Sequence, residues 1–308
     1  MVLLCVSEGG KKVKKITYIF ILIILFFSSF GGTYLYLYEK YHTMPVFSNQ
    51  TNQTQERTSN SDNLNKSSSD DNMSLTKSVN IKKVKDRSIF NKEVFLTFDD
   101  GPSINTLKIL KILDDNNVKA TFFVIGSNVD AHPNLVKAEY KDGMTILNHS
   151  YTHNYSMYKS IETCIADFNR CNVSVKNAIG TDLLPYIRFP GGSDNKVSDS
   201  KTMNNIRNEF ISKGMEYIDW NSDAGDADKG LVSTGTIEHN LLKQLGSTNF
   251  AVTLMHDSPA KTTTVEALPA VIYYLKKQGF VFRTFADLTP TEEKKMVRER
   301  IIDRGTNK

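Results

Sequence analysis

Short apolar runs alternate with amphipathic stretches over the C-terminal two thirds of the chain. Residues 94–96, 120–126 and 251–255 are dominated by apolar side chains, which is typical of strands buried on both faces. Apolar residues recur at helical spacing in three stretches between these runs: 107–113, 134–140 and 160–178. Strands that alternate with helices predict the α/β class, with a parallel sheet or barrel.

The longest apolar segment lies near the N-terminus. No charged residue occurs in 16–38, and at ~1.5 Å per residue a helix of this length crosses a bilayer core. The lysines that precede it place 1–15 in the cytoplasm by the positive-inside rule. We therefore predict a single-pass transmembrane anchor, with the rest of the chain extracellular. A signal peptide cleaved near Gly32 is the alternative.

A polar segment connects the predicted anchor to the alternating region. Residues 43–88 are rich in Asn, Ser, Thr, Gln, Asp and Lys and hold few large apolar side chains. Such a segment cannot offset its ordering entropy by burial. We predict a flexible extracellular linker over 39–90, a folded domain over 91–290 and a peripheral charged tail over 291–308.

Charge and cysteine content exclude two classes of protein. The formal net charge is only +4, so no nucleic-acid partner is predicted. Three cysteines in 308 residues are too few for a disulfide scaffold. On a straight helix the Cα atoms of Cys164 and Cys171 would lie about 10 Å apart. That separation exceeds the ~7 Å limit for a disulfide, so we expect buried free thiols.

Two adjacent acids follow the first predicted strand. Asp99 and Asp100 emerge where Gly101 and Pro102 force a turn. Two close carboxylates repel each other unless a cation or a metal ion offsets the repulsion. An ordinary Asp-Asp-Gly turn is the alternative interpretation.

Two histidines follow a short predicted strand at 145–147. If the segment after this strand begins a helix, His149 and His153 lie on one face, four residues apart. At this spacing two imidazoles can share a metal ion. For either histidine alone, a structural role is the alternative.

Three later strand ends also carry ionisable side chains. Arg188 precedes a Gly-rich turn, Asp223 and Asp226 follow a predicted strand that contains Trp220, and His256 ends the run 251–255. Chemistry in parallel α/β folds gathers at the C-terminal ends of the strands. The residues fit metal-assisted hydrolysis, in which one carboxylate and two imidazoles bind the ion. A second carboxylate then serves as base and a separate histidine as acid.

Four collinear motifs resemble those of the polysaccharide deacetylases with a NodB homology domain, carbohydrate esterase family 4. The motifs are Thr97-Phe98-Asp99-Asp100-Gly101-Pro102, His149-Ser150-Tyr151-Thr152-His153, Arg188-Phe189-Pro190-Gly191-Gly192 and Leu254-Met255-His256-Asp257. The resemblance covers roughly residues 91–288. It implies a distorted (β/α) barrel that removes acetyl groups from N-acetylated sugars.

The resemblance also implies a metal centre. Asp100, His149 and His153 would bind a divalent ion, with Zn²⁺ expected and Co²⁺ or another first-row metal as alternatives.

Catalytic roles follow from the same resemblance. Asp99 would be the base that activates water, and Arg188 would orient it. His256 would protonate the leaving amine, and Asp226 rather than Asp223 would keep that histidine protonated.

The resemblance further implies a substrate pocket. Leu254 would line the pocket for the acetyl methyl group, Pro190 and Trp220 would border the groove, and the backbone N–H of Tyr151 or a neighbour would stabilise the oxyanion. Many members have Trp where this chain has Ala227, whereas Trp220 lies earlier, on a predicted strand. The wall of the groove therefore departs from the family pattern.

The predicted anchor and tether make peptidoglycan the nearest polymer of N-acetylated sugars. We expect a monomeric deacetylase of peptidoglycan N-acetylglucosamine at the cell membrane. N-acetylmuramic acid, chitin oligomers and acetylated xylan are alternative substrates of the same chemistry. A non-catalytic wall-binding module and a two-His-one-carboxylate iron oxygenase are alternatives of other classes.

Overall fold

The structure is a computed structural model that describes residues 92–227 and 230–305. The predicted cytoplasmic tail (1–15), transmembrane anchor (16–38) and linker (39–90) lie outside the described residues. Within the two described ranges, no helix combines the length and the apolar composition that a bilayer crossing requires.

Nine strands among the described residues form one sheet in which the strand pairs are parallel. They are β1 Glu93–Phe95, β2 Thr97–Gly101, β3 Thr121–Val124, β4 Thr145–Asn148, β5 Tyr186–Ile187, β6 Glu216–Tyr217, β7 Ser222–Asp223, β8 Phe250–His256 and β9 Val281–Arg283. The order across the sheet is β6-β5-β4-β3-β2-β8-β1-β9, and β7 pairs with β8. The predicted parallel α/β class is therefore confirmed.

The two ends of this strand order are β6 and β9. Within the residues that the structure describes, no strand pair joins them. Ile302 near the C-terminus forms an antiparallel bridge with Ile218, just after β6. The C-terminal segment, rather than a further pair of strands, thus lies beside this end of the sheet.

Eight α-helices pack around the sheet in the described part of the chain. They are α1 Thr106–Asp115, α2 Gly126–Ala131, α3 Pro133–Lys141, α4 Ile161–Ile179, α5 Ser200–Ser212, α6 Thr234–Leu245, α7 Thr262–Lys277 and α8 Pro290–Arg298. The helices predicted at 107–113, 134–140 and 160–178 correspond to α1, α3 and α4. Six-residue α2 is too short for a helical period to register, so the apolar pattern gave no prediction there.

The two cysteines of α4 are buried free thiols, as predicted. Cys164 and Cys171 are fully buried and unpaired with each other. Burial raises the pKa of the Cys164 thiol to about 12, because it disfavours the charged thiolate. The two side chains therefore serve as core packing groups.

The C-terminal segment contradicts the prediction of a peripheral tail over 291–308. Thr289 and Glu292 form a capping box at the start of α8, so the helix begins with its first N–H groups satisfied. Met296, Ile301 and Ile302 are fully buried in the core. A few apolar residues on one face are enough to bury that face of a helix. In this segment the many charged residues obscured the apolar ones in the sequence pattern.

Four of five neighbouring strands carry predicted functional residues to one edge of the sheet. The order β5-β4-β3-β2-β8 places the C-terminal ends of these strands side by side. Asp99 lies on β2, Arg188 follows β5, and His256 ends β8. The parallel pairing therefore brings together residues that lie more than a hundred positions apart in the chain.

Candidate active site

Asp99 and Asp100 point into the same site despite being consecutive residues of β2. Consecutive strand residues normally point to opposite faces. Here the β2–β3 register shifts between Asp99 and Gly101, and Asp100 has φ of 71°. This irregularity leaves an oxygen of Asp99 3.6 Å, and one of Asp100 3.5 Å, from Nε2 of His149.

The two histidines lie in an irregular loop after β4. The helix on which the two histidines would have shared one face does not form, because Ser150 and His153 have φ of 70° and 52°. The rings nevertheless approach each other, with centroids 5.1 Å apart for His149 and His153. Nε2 of His153 lies 3.3 Å from Oδ1 of Asp100.

Tyr151 lies between the two histidines, and its backbone N–H is already engaged. It donates to Oδ1 of Asp167 at 2.7 Å, which removes it as the predicted oxyanion donor. The hydroxyl of Tyr151 donates to Asp130 at 3.0 Å and accepts from Arg170 at 2.9 Å. The side chain of Tyr151 is therefore held by the neighbouring helices α2 and α4.

Asp100, His149 and His153 form a donor set that fits a metal ion. One oxygen and two nitrogens from these residues all lie within 4.8 Å of one another. Oδ1 of Asp100 is buried and has no hydrogen-bond partner. Nδ1 of His149 must donate to the carbonyl oxygen of Arg188 at 2.9 Å, so its Nε2 carries the free lone pair. Burial lowers the pKa of His149 and so favours the neutral form that binds metals.

Arg188 is fully buried and holds Asp99. Its Nη1 donates to Oδ1 of Asp99 and to the hydroxyl of Thr97, both at 2.7 Å. Its Nε and Nη2 donate to the carbonyl oxygens of Ile218 and Asp219 at 3.1 and 3.2 Å. Since the guanidinium is hydrogen-bonded along its length, the buried ion pair is geometrically fixed.

His256 pairs with Asp226. Nδ1 of His256 lies 2.7 Å from Oδ1 of Asp226, and the His256 N–H donates to Oδ2 at 2.9 Å. Burial alone would lower the pKa of His256, but the hydrogen bond and charge of Asp226 override it and raise the pKa to about 9. Asp223 instead accepts the N–H of Gly225 at 2.7 Å. Asp226 is therefore the partner of His256, as the family resemblance implied.

His256 and Asp99 are direct neighbours across two strands. Asp99 on β2 is paired in register with His256 on β8. The structure thus brings an imidazole paired with a carboxylate, a carboxylate fixed by an arginine and a metal-type donor set to one edge of the sheet.

The residues predicted to line the pocket lie in different structural environments. Leu254 is buried on β8, and the carbonyl of Pro190 accepts the hydroxyl of Tyr158 at 2.9 Å. Trp220 lies between β6 and β7 rather than on a strand, which corrects the prediction. Its ring is so close to Gly192 that a Cβ at that position would come within 3.2 Å of it.

Asp257 is a buried site residue to which the sequence analysis assigned no role. Its N–H donates to the carbonyl of Asp99 at 2.7 Å, and its carboxylate accepts from Ser103 and Thr106 at 3.1 and 2.5 Å. Burial raises its pKa to about 7. A Cβ at Gly101 would lie 2.6 Å from Oδ2 of Asp257, so only glycine fits there. The signal available in the sequence was its position next to His256.

Asp219 is a second residue that the sequence analysis missed. Its carboxylate accepts the N–H of Ser193 at 2.9 Å and the Ser193 hydroxyl at 2.5 Å, while its carbonyl accepts from Arg188. It therefore joins the Gly-rich turn to the arginine that holds the catalytic candidate Asp99.

Comparisons with known proteins agree with this geometry. A family model described as "Polysaccharide deacetylase" matches residues 88–208. A peptidoglycan-N-acetylglucosamine deacetylase of Bacillus cereus is 32% identical over 203 residues, covering 63% of this chain and 69% of the relative. A putative polysaccharide deacetylase of Bacillus subtilis is 33% identical over 210 residues, covering 66% of this chain and 71% of the relative. A bifunctional xylanase/deacetylase of Pseudobutyrivibrio xylanivorans is 33% identical over 199 residues, which are 64% of this chain but only 30% of that protein.

Solved structures show the same fold. The catalytic domain of a peptidoglycan N-acetylglucosamine deacetylase from Eubacterium rectale matches with a TM-score of 0.61 and 35% identity, covering 66% of this chain and 93% of that one. A family 4 carbohydrate esterase from Streptomyces lividans matches with a TM-score of 0.53 and 30% identity, covering 62% of this chain and 92% of that one. The motifs, the donor set and these matches together show that the chain belongs to the polysaccharide deacetylase family, carbohydrate esterase family 4, whose members are metal-dependent hydrolases.

Proposed function

We propose that this protein removes the acetyl group from N-acetylglucosamine residues of peptidoglycan. The proposal rests on one observation. At one edge of the sheet, two proton-transfer groups, Asp99 and His256, lie beside the donor set of Asp100, His149 and His153. Two relatives with the same fold or similar sequence are named as peptidoglycan N-acetylglucosamine deacetylases, which supports the choice of sugar.

The metal ion of the proposed site is Zn²⁺, held by Asp100, His149 and His153. One carboxylate and two imidazoles form a ligand set that zinc uses in hydrolases, and Co²⁺ or another first-row metal is the alternative. When bound, such an ion polarises the acetyl carbonyl and lowers the pKa of water.

Asp99 is the proposed base. Arg188 fixes its Oδ1, and the second oxygen faces the metal-ligand set. In the reaction, Asp99 takes a proton from the water whose oxygen attacks the acetyl carbon. Because Arg188 stabilises the charged carboxylate, Asp99 begins the reaction ready to accept that proton.

His256 is the proposed acid. Its pKa of about 9 means that the imidazole is protonated at neutral pH, and Asp226 holds Nδ1 so that Nε2 is directed away from it. His256 gives its proton to the amide nitrogen as the carbon–nitrogen bond breaks. The products are acetate and a free amine on the sugar.

The assignment of residues to the substrate pocket is part of the proposal. Leu254 is proposed to contact the acetyl methyl group, and Pro190 and Trp220 to border the sugar. Leu254 and Pro190 are buried residues of the motifs and Trp220 is partly buried against Gly192, which supports this assignment.

We also propose that residues 16–38 anchor the enzyme in the cell membrane, with the catalytic domain outside. The uncharged apolar run and the lysines before it support this orientation. Protease treatment of intact cells is expected to release the catalytic domain and leave the N-terminal segment in the membrane fraction. A mature N-terminus near Gly32 would instead indicate a cleaved signal peptide.

The decisive experiment supplies the purified protein and Zn²⁺ with defined substrates. We expect acetate release from peptidoglycan fragments, with mass spectrometry locating the loss on N-acetylglucosamine. N-acetylmuramic acid, chitin oligomers and acetylated xylan are tested in parallel, and faster release from one of them would change the proposed substrate. The Asp99→Asn variant is the matched control.

For two alternative classes of function, different results are expected in this experiment. A wall-binding module would bind peptidoglycan without acetate release, and Asp99→Asn would not alter binding. An iron oxygenase would require oxygen, so acetate release under anaerobic conditions excludes it. Absence of acetate release from every substrate would contradict the proposed function.

A further inference from the structure

Two of the three proposed metal ligands depend on one irregular loop. His149 and His153 lie in the segment between β4 and the 3-10 turn Tyr155–Lys159. Ser150 and His153 adopt left-handed backbone conformations, with φ of 70° and 52°. Residues other than glycine keep such conformations only where surrounding contacts impose them. The loop therefore requires an external support.

The two histidine rings differ in how they are oriented. His149 is buried, and its Nδ1 is hydrogen-bonded to the carbonyl of Arg188. For His153, whose side chain is 30% exposed, no comparable bond occurs within the described ranges. Nε2 of His153 lies 3.3 Å from Oδ1 of Asp100, and its ring lies near the rings of His149 and Tyr155. Since metal-ligating histidines are usually oriented by such a bond, the position of His153 depends on its backbone.

Asp167 on α4 supports this backbone with three hydrogen bonds. Its Oδ1 accepts the N–H of Tyr151 at 2.7 Å and the N–H of Thr152 at 3.0 Å. Its Oδ2 accepts the hydroxyl of Thr152 at 2.7 Å. Both backbone donors immediately precede His153, and hydrogen bonds to a charged acceptor are stronger than neutral ones.

Helix α4, which carries Asp167, is itself well anchored in the fold. Ser160 and Thr163 form a capping box at its start, and Phe168 next to Asp167 is buried. The carbonyl of Phe168 also accepts the side-chain N–H of Asn148, the last residue of β4, at 2.8 Å. Consecutive residues of α4 thus hold the strand end and the loop that follows it.

We infer that Asp167 is a positioning residue that keeps His153 in ligand geometry and thereby sets the metal affinity of the site. The inference rests on the proposed function, because it assumes the metal ligands named there. Asp167 itself bonds to the loop and to none of the three ligands, so it acts through the backbone of Tyr151 and Thr152.

The test measures the Zn²⁺ dissociation constant of the purified full chain by competition with a chromogenic chelator. Asp167→Ala removes all three acceptors, and we expect affinity to fall by about 10- to 100-fold, as for other partners that orient metal ligands. In Asp167→Asn the amide oxygen still accepts both N–H groups. We therefore expect a dissociation constant close to that of wild type, well short of the roughly 10-fold loss that marks a missing outer-shell partner.

Asp130→Ala is the matched control. Asp130 accepts the side-chain hydroxyl of Tyr151 but makes no hydrogen bond to the backbone of the loop that the structure records. We expect its Zn²⁺ affinity to match wild type. Excess Zn²⁺ should restore the kcat of Asp167→Ala while KM stays unchanged, which a general loss of fold would not permit.

The outcomes separate the inference from the proposed function. Wild-type affinity in Asp167→Ala, or equal losses in Asp167→Ala and Asp167→Asn, would overturn the inference alone. If wild type itself bound no Zn²⁺, the proposed function and the inference would both fail. Should Asp167→Ala not fold, Asp167→Glu keeps the charge but displaces the acceptor, and unchanged affinity in that variant would overturn the inference.

Discussion

At the residue scale, the adjacent carboxylates Asp99 and Asp100 occupy two different environments. Asp99 is bonded to the guanidinium of Arg188, whereas Oδ1 of Asp100 is buried without a hydrogen-bond partner and faces the two histidines. One environment stabilises a charged base, and the other is suited to an ion. The division of roles between neighbouring residues follows from these contacts.

This division predicts opposite effects of two substitutions. Asp100→Ala should weaken Zn²⁺ binding because it removes the only carboxylate of the donor set. Asp99→Asn should retain Zn²⁺ but lose about 10²- to 10⁴-fold in kcat, the usual contribution of a general base. Metal titration and acetate-release kinetics on both variants check the prediction. Equal loss of metal in both would show that the roles are not divided.

The His256–Asp226 pair predicts a pH dependence. The raised pKa of His256 means that the acid form is present below about pH 9 and is lost as the pH rises through that value. Asp226→Asn removes the negative charge that raises the pKa, so the alkaline fall in kcat/KM should move to lower pH. The measurement is a pH profile of both proteins, with Asp223→Asn as the control because Asp223 does not contact His256. An unchanged alkaline limb in Asp226→Asn would contradict the assignment of His256 as the acid.

At the element scale, two irregular features place the residues that the motifs supply. The shift in β2 turns Asp100 toward the histidines, and the loop after β4 brings the histidines to Asp100. The sequence pattern predicted both strands. It could not predict the irregularities, because they depend on contacts with residues distant in the chain, such as Asp167 and Arg188.

The burial of the C-terminal helix and of the segment after it leads to a testable prediction at the same scale. Ile302 is fully buried in the core and bridges to Ile218. Ile302→Ala should lower the free energy of unfolding by about 2–5 kcal/mol, the usual cost of removing a large buried aliphatic side chain. Urea unfolding checks the value, and Lys294→Ala on the exposed face of α8 is the control. A loss below about 0.5 kcal/mol, the range of surface substitutions, would mean that the segment is peripheral after all.

At the scale of the whole molecule, the C-terminal segment extends to the back of the site. Arg304 donates to the carbonyl of Trp220 at 2.9 Å and lies 3.4 Å from the carboxylate of Asp219. The carbonyl of Asp219 in turn accepts from Arg188, which holds Asp99. The end of the chain is therefore connected to the proposed base through two buried groups.

The sequence by itself determined the α/β class, several of the helices and strands, and the motifs that supply the candidate site residues. These properties depend on local apolar periodicity and on short motifs, which are contiguous in the chain. Only the tertiary structure decided that His149 and His153 meet in a loop and that the C-terminal segment is buried. Each of these outcomes is set by contacts between residues far apart in sequence, which no local pattern records.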